Sequence, residues 1–438
     1  MKEYYTDIVE EISSILCDTV LKREESLVET IKDFDLDANK ILRQVGLRLM
    51  SKLFKHLSKE VTQQAKTKSL VIHRIKKIKY AVLFGELEVE SPYLWNKKAS
   101  SGFCPVPESL GIQHGGRSKA VKRALTDFGS EESFGQASKR FAEHYGWDVQ
   151  RASVRREVET IAYTANKYVE KRLKSPPFQS TEQQDTVYRL LVELDGSHVR
   201  TGVIEPKQSG ELTKKRKLKP YKRQIDWREV RVGLAGKMNN KDDRTYVACM
   251  SKYPEVVEQL YYAALIQGLM DKTQVYAVAD GGNGLREALE QRFPSLQFIL
   301  DRSHLKQHIY GAADTLSQRL FSHHYWAHHV LGLIDRGKVK KAISFIKTSF
   351  PMSNKEQVLQ NLCNYLERFS DATYYDLFRR QELPIGSGEI ESAHRYIPQK
   401  RLKLPGATWH PQTINPMLAL RIIRVNNWWD DFWQTASF

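Results

Sequence analysis

Leu191-Val192-Glu193-Leu194-Asp195-Gly196 and Val275-Tyr276-Ala277-Val278-Ala279-Asp280-Gly281-Gly282 share one pattern, a short apolar run that ends on aspartate and then glycine. Apolar runs of this length read as buried strands, and Asp-Gly reads as the turn that closes them. Asp195 and Asp280 are therefore expected at strand ends, where small neighbours let a large substrate approach. Working outward, Val187 to Leu194, Val199 to Ile204 and Trp227 to Leu234 read as three strands. Val256 to Met270 and Leu285 to Phe293 read as helices, with a last strand at Leu296 to Leu300. The order β-β-β-α-β-α-β predicts an α/β fold, a mixed sheet with helices against it.

A third acidic feature follows residues 302 to 381, which read as a wholly helical insertion. It is Ile385-Gly386-Ser387-Gly388-Glu389-Ile390-Glu391-Ser392, followed by Ala393-His394-Arg395 and the basic Lys400-Arg401-Leu402-Lys403. Ser387 suits a helix cap, which puts Glu391 in the first turn. Hard carboxylate oxygens of this kind hold magnesium, and two such ions roughly 3.5 to 4 Å apart serve phosphodiester chemistry. Each part also has a plainer reading: Asp-Gly is a common turn, and first-turn glutamates complement a helix dipole.

The chain has 438 residues, enough for two or three domains and at least one substantial core. Lys and Arg outnumber Asp and Glu by 68 to 52, a formal charge of +16 that favours a polyanionic partner. A merely soluble basic surface gives the same sum. Cys17, Cys104, Cys249 and Cys363 form no Cys-x-x-Cys pair, which argues against a disulfide framework and suits a reducing compartment. No apolar run approaches the roughly 20 residues that cross a bilayer, and Met1 to Asp7 is too polar for a signal peptide. A cytoplasmic location with no membrane partner is expected.

Apolar residues at helical spacing, from Tyr5 to Leu21 and from Ile41 to Val61, predict helices to about residue 65, packed on their own chain or serving as a dimerisation arm. Ile78 to Phe84 and Glu86 to Tyr93 predict two strands and a turn, with Pro92 at an edge or exit. Between Ser130 and Glu159 the pattern is helix, break at Gly146, helix. That is compatible with a helix-turn-helix offering Arg151, Arg155 and Arg156 to DNA, and with an αα-hairpin whose basic face is solvated. Pro176 and Pro177 mark a linker. Lys207, Lys214, Lys215, Arg216, Lys217, Lys219, Lys222 and Arg223 form a solvated loop or a phosphate-contacting arm. Arg401 and Lys403 suit phosphate contact, while Trp409 suits stacking on an unpaired base or core packing. Asp301, His304 and His308 share a helical face, with His323, His324, His328 and His329 beyond, so a zinc site is a further candidate.

Several of these motifs carry a resemblance when taken in order. They are Phe84-Gly85-Glu86-Leu87, Ser91-Pro92-Tyr93, Pro105 to Leu110, Glu132-Ser133-Phe134 and Leu194-Asp195-Gly196. Leu300-Asp301-Arg302-Ser303-His304-Leu305 and Gly386-Ser387-Gly388 to Glu391-Ser392 follow, then Arg401, Lys403, Gly406, Trp409, Leu418-Ala419-Leu420-Arg421 and Trp429 to Trp433. From about residue 75 to its end, the chain resembles a bacterial insertion-sequence transposase of the ISKra type. The resemblance implies a ribonuclease H-like mixed sheet interrupted by a helical insertion and preceded by helical and helix-turn-helix DNA-binding regions. The corresponding divisions are 1–70 (N-terminal helices), 71–182 (hairpin and helix-turn-helix), 183–301 with 382–438 (catalytic) and 302–381 (insertion). Catalytic and metal-binding roles carry over to Asp195, Asp280 and Glu391, with Glu389 competing for the third place. The chain departs at Tyr93-Leu94-Trp95-Asn96-Lys97-Lys98, where relatives often carry a Cys-x-x-Cys knuckle and this sequence has a lone Cys104.

The activity implied is metal-dependent DNA cleavage and strand transfer, with two Mg2+ ions, or Mn2+ in their place, as cofactors. Double-stranded DNA is the partner, as terminal inverted repeats and as target, bound by a homo-oligomer that is at least a dimer, at the bacterial nucleoid. An inactive or domesticated relative that only holds DNA shares these features. A glycosidase built on paired carboxylates needs no basic surface, and the sequence offers no aromatic sugar platform.

Overall fold

In the computed structural model, which describes residues 2–22, 27–175, 187–206, 221–238, 240, 242–316, 320–349 and 356–437, the chain divides into two compact units. One comprises residues 1–128 and 135–154, the other residues 129–134 and 155–438. The Pro176-Pro177 linker and the loop cations Lys207, Lys214, Lys215, Arg216, Lys217 and Lys219 lie outside the described residues.

In the first unit the N-terminal periodicity becomes helices Lys2–Leu21 and Leu27–Ala65. Leu47, Met50 and Phe54 of the longer helix close over a core of Ile78, Val82, Leu87, Val89, Val106 and Ile112. Strands β1 (Leu70–Val82) and β2 (Gly85–Asn96) pair antiparallel along their whole length. Pro92 therefore lies inside β2 rather than at its exit. The next strand, β3 (Ser101–Phe103), joins β2 only from Leu94 onward, so Pro92 is still on a sheet edge, where a missing N–H is tolerated. With β4 (Gly116–Arg117) the order is β3-β2-β1-β4. Helix Phe134–Tyr145 ends at Gly146, whose φ is 71°, and helix Arg151–Lys174 begins in this unit and runs on into the second from residue 155.

The second unit holds a five-stranded sheet of β5 (Arg189–Pro206), β6 (Tyr221–Lys237), β7 (Arg244–Cys249), β8 (Gln274–Ala279) and β9 (Leu296–Leu300) in the order β7-β6-β5-β8-β9. The first three are antiparallel, while β8 and β9 run parallel to β5. The expected β-β-β-α-β-α-β order is present, reached differently. Val187 to Leu194 and Val199 to Ile204 belong to one strand, because Gly196 stays in the ladder opposite Arg231 and no turn forms. Asp195 consequently sits within a strand, not at its end. The third place is taken by β7, a six-residue edge strand that the sequence reading passed over. Helices Tyr253–Ile266 and Leu285–Arg292 make the crossovers between β7, β8 and β9.

Buried Val192, Leu194, Val232, Leu234, Val257, Leu260, Val278 and Ile299 fill the space between sheet and helices. Helices Arg302–Leu316, Leu320–Asp335, Val339–Ser349, Glu356–Arg368 and Tyr375–Arg380 form the expected helical block. Helix Gly388–His394 follows, and then Pro411–Val425, buried at Ile414, Met417, Leu418, Leu420, Ile422 and Ile423. Trp429 and Trp433 are packing residues. Among the described residues no helix is long and apolar enough to cross a membrane.

Candidate active site

Parallel strands in register bring like positions side by side. Leu194 pairs with Ala279, and Ala279 with Leu300. Asp195, Asp280 and Asp301 thus stand one residue beyond matched partners on three neighbouring strands, which are about 4.8 Å apart. The three aspartates have different surroundings.

Asp195 Oδ1 accepts the Gly196 N–H at 2.7 Å, and Oδ2 lies 3.2 Å from His394 Nε2. Burial pushes the carboxyl up, but the contact with His394 and the Gly196 amide outweigh it and hold Asp195 below the usual carboxylate range. His394 is buried, with Nδ1 3.1 Å from Ser197 Oγ. Sequence reasoning missed this side chain, treating it only as a cation beside the acidic pair. Its spacing of three from Glu391 was the available signal, since residues three apart share a helix face.

Asp280 Oδ1 accepts the Gly282 N–H at 3.0 Å, closing a tight turn. The glycine between them is required by packing, because a Cβ on Gly281 would lie 2.5 Å from Tyr365 Cε2. Tyr365 and His308 face each other with ring centroids 4.5 Å apart. They line a cavity of about 590 Å³ together with Gln307 and Asn361. Burial lowers the His308 pKa and His304 lowers it further, while the field of Asp280 opposes both.

Asp301 is fully buried and its hydrogen bonds are all local to the fold. Oδ1 accepts the N–H groups of Ser303 at 2.6 Å and His304 at 3.0 Å, and Oδ2 accepts the N–H of Ser387 at 2.6 Å and its hydroxyl. It clasps the start of helix Arg302–Leu316 to the Gly-Ser-Gly loop. Ser387 therefore does not cap its own helix through its side chain, as expected from sequence; its hydroxyl is given to Asp301. Glu193, also buried, accepts the Ile390 N–H at 2.8 Å. Burial raises its pKa to about 8; the Ile390 amide opposes this, while Glu389 and Asp301 add to it.

The two candidate glutamates separate cleanly. Glu389 is held by Arg244, with bonds of 2.6 Å from Nε and 3.0 Å from Nη2. Glu391 is exposed, and its backbone N–H donates to Ser387 O at 3.1 Å. It lies one turn before His394 in the same helix. Among the described residues no three His, Cys, Asp or Glu side chains are grouped so as to hold a metal ion. Asp301, His304 and His308 therefore form no zinc cluster among the described residues.

Asp195 and Asp280 nevertheless supply hard oxygen donors suited to Mg2+, which takes one or two carboxylates and completes its shell with water and phosphate. Tyr365 Oη, buried against Gly281, has no side-chain hydrogen-bond partner, whereas His394 Nε2 is taken by Asp195. A buried hydroxyl of this kind fits a site whose remaining partner is a hydrated ion or a substrate.

The sequence profile of the Uncharacterised protein family (UPF0236) matches residues 26–429. The chain belongs to this family. The UPF0236 match takes in the aspartate row, the helical block and helix Gly388–His394. No curated protein is similar to the chain.

The basic residues of this UPF0236 member divide into exposed and structural. Arg151, Arg155 and Arg156 are exposed, although Arg155 is paired with Glu159 at 2.8 Å. Lys403 is exposed; partial burial of its ammonium lowers the pKa, and Asp195 opposes that shift. Arg401 corrects the sequence reading, and Trp409 takes the core-packing alternative rather than base stacking. Arg401 is buried, donates to Gly129 O at 2.7 Å, and lies 4.4 Å and 4.6 Å from the ring centres of Phe134 and Trp409. Burial brings its pKa down to about 10. Trp409 is buried too and donates from Nε1 to Leu402 O at 3.0 Å. Neither is available to DNA, because each is consumed in joining the C-terminal segment to its own unit.

Proposed function

We propose that this protein is a DNA transposase of ribonuclease H-like architecture, similar to the ISKra type, which cleaves DNA and transfers the cut strand. The observation that carries the reading is the register Leu194↔Ala279, which sets Asp195 and Asp280 side by side on adjacent parallel strands. Support comes also from the mixed sheet, which a helical block follows before helix Gly388–His394, and from a charge of +16 suited to DNA.

In this reading Asp195 and Asp280 hold Mg2+, and Glu391 is the third ligand because Arg244 occupies Glu389. The bound ions, two with Mn2+ as a substitute, supply Lewis acidity and a water of lowered pKa. His394 and the Gly196 amide orient the Asp195 carboxylate. Lys403, in the field of Asp195, meets the phosphate. Water attacks phosphorus and loses a proton as the 3′-oxygen leaves and takes one; the resulting 3′-hydroxyl then loses its proton as it attacks a target phosphodiester, whose own 3′-oxygen leaves and is protonated. Helix Arg151–Lys174 offers Arg151 and Arg156 to the inverted repeats as part of a helix-turn-helix. Pairing of two ends requires at least a dimer.

The test is Mg2+-dependent nicking of DNA carrying the flanks of the coding region. Asp195→Asn should abolish cleavage and keep DNA binding; retained cleavage removes the assignment. A second reading, a relative that only holds DNA, is favoured by one observation: among the described residues no three His, Cys, Asp or Glu side chains are grouped to hold a metal ion. Binding by the unaltered protein with no nicking in Mg2+ or Mn2+ would select it.

A further inference from the structure

The β1–β2 ribbon of the first unit divides its charges by face and by position. Cross-strand neighbours share a face. Lys77 stands opposite Glu90, and Lys79 opposite Glu88, and both lysines are paired: Lys77 with Glu88 at 3.0 Å and Lys79 with Glu86 at 3.6 Å. Arg74 stands opposite Tyr93 and Lys76 opposite Ser91, so neither faces a carboxylate across the strand pair. Residues 61–85 and 91–107 contain no Asp or Glu at all. The half of the ribbon that includes Arg74, Lys76 and the turn lysines Lys97 and Lys98 is therefore uniformly cationic, and all four are exposed.

Those cations are ordered without being neutralised. Arg74 Cζ lies 5.4 Å and Lys76 Nζ 5.0 Å from the centre of the Tyr93 ring. A cation resting on an aromatic face keeps its charge, whereas a salt bridge cancels it. Tyr93 is itself fixed. It stacks with Trp95 at 6.4 Å, and β3 passes close enough that a Cβ on Gly102 would lie 2.8 Å from Tyr93 Oη. His73, at the irregularity in β1, has its ring 6.3 Å from both aromatic rings. The result is a two-stranded ribbon with rigid aromatics and preset, unneutralised cations on one face. A two-stranded ribbon is narrow enough to enter a DNA major groove.

We propose that this part of the ribbon is a DNA-binding arm, with Arg74, Lys76, Lys97 and Lys98 contacting phosphates of a duplex. The assignment rests on the reading that DNA is the partner, and adds a site distinct from the helix-turn-helix cations and the aspartate row. Sequence reading passed over it because the strand also carries Lys77 and Lys79, whose charges are spent on glutamates.

Two double variants of the full chain test it, each removing two positive charges from neighbouring positions of one strand. Each counterion-releasing phosphate contact contributes about 0.9 to the slope of log affinity against log salt. Arg74→Gln/Lys76→Gln should flatten that slope by about 2 for duplex DNA and weaken binding by about 60-fold near 0.1 M salt. Lys77→Gln/Lys79→Gln should leave the slope within about 0.5 of the unaltered protein. Equal effects would reduce the arm to net charge and overturn the proposal; so would an unchanged slope in the Arg74/Lys76 variant. Absence of DNA binding by the unaltered protein would instead remove DNA as the partner, a separate failure. Circular dichroism and the melting midpoint confirm that both variants fold, since all four side chains are exposed.

Discussion

Glu193 and Asp195 lie two residues apart on one face of β5, and their surroundings push them in opposite directions. Asp195 is held anionic by the contact with His394 and the Gly196 amide, whereas Glu193 is driven to about 8 by burial. For Glu193 the folded value lies above the ordinary 4.5, so the folded state retains a proton that the unfolded chain releases. Its contribution to stability is complete below about pH 4.5 and is lost as pH rises through about 8. Glu193→Gln keeps an acceptor for the Ile390 N–H and cannot ionise. Relative to this variant, the unaltered protein should lose on the order of a few kcal/mol between pH 5 and pH 8.5, measured by urea unfolding; an equal gap at both pH values contradicts the assignment. The neighbouring glutamates give a second contrast. Glu389→Gln leaves buried Arg244 without its carboxylate and should cost about 2 kcal/mol, discounted because Glu389 is itself partly exposed. Glu391→Gln should leave the unfolding midpoint alone and remove cleavage. If Glu389→Gln alone stops cleavage at unchanged stability, the two roles are reversed.

Element by element, periodicity was legible where one face is buried and ambiguous where pairing decides. The long N-terminal helix and the parallel strands β8 and β9 were readable because their apolar residues repeat at 3.6 or run together. The joining of two expected strands into β5 was not, since Asp-Gly signals a turn only when no partner claims its backbone, and β6 does so through Asp195↔Val232 and Gly196↔Arg231. Arg401 shows the same limit for side chains. A basic residue after an acidic helix reads as a phosphate contact, yet its guanidinium is enclosed by Phe134 and Trp409 and bound to Gly129 O. Arg401→Ala should therefore destabilise the protein by about 2 to 4 kcal/mol through the lost carbonyl partner and ring contacts. It should leave the salt dependence of DNA affinity unchanged. A variant of normal stability with a flatter salt slope would restore Arg401 to the DNA surface.

For the whole molecule, the carboxylates were legible as residue types but their grouping was not, because helices from Arg302 to Arg380 separate β9 from helix Gly388–His394 and only tertiary packing sets the distance. Register could be anticipated for Asp195 and Asp280, each following an apolar run; no local signal tells whether Glu391 converges on them. Linkage offers a test that needs no substrate. An ion that binds the folded state alone stabilises it by about 2.7 kcal/mol when present at a hundred times its dissociation constant. Mg2+ or Mn2+ should accordingly raise the unfolding midpoint of the unaltered protein at matched ionic strength, the matching being needed because a chain of charge +16 also responds to general screening. Asp195→Asn and Asp280→Asn should each abolish most of that rise. Glu391→Gln should abolish it only if the third carboxylate moves to the ion in the absence of DNA; a rise kept in Glu391→Gln and lost in both aspartate variants would define a two-carboxylate site completed by Glu391 only when phosphate is bound. An identical rise in all three variants would place the ion elsewhere and remove Asp195 and Asp280 as its ligands.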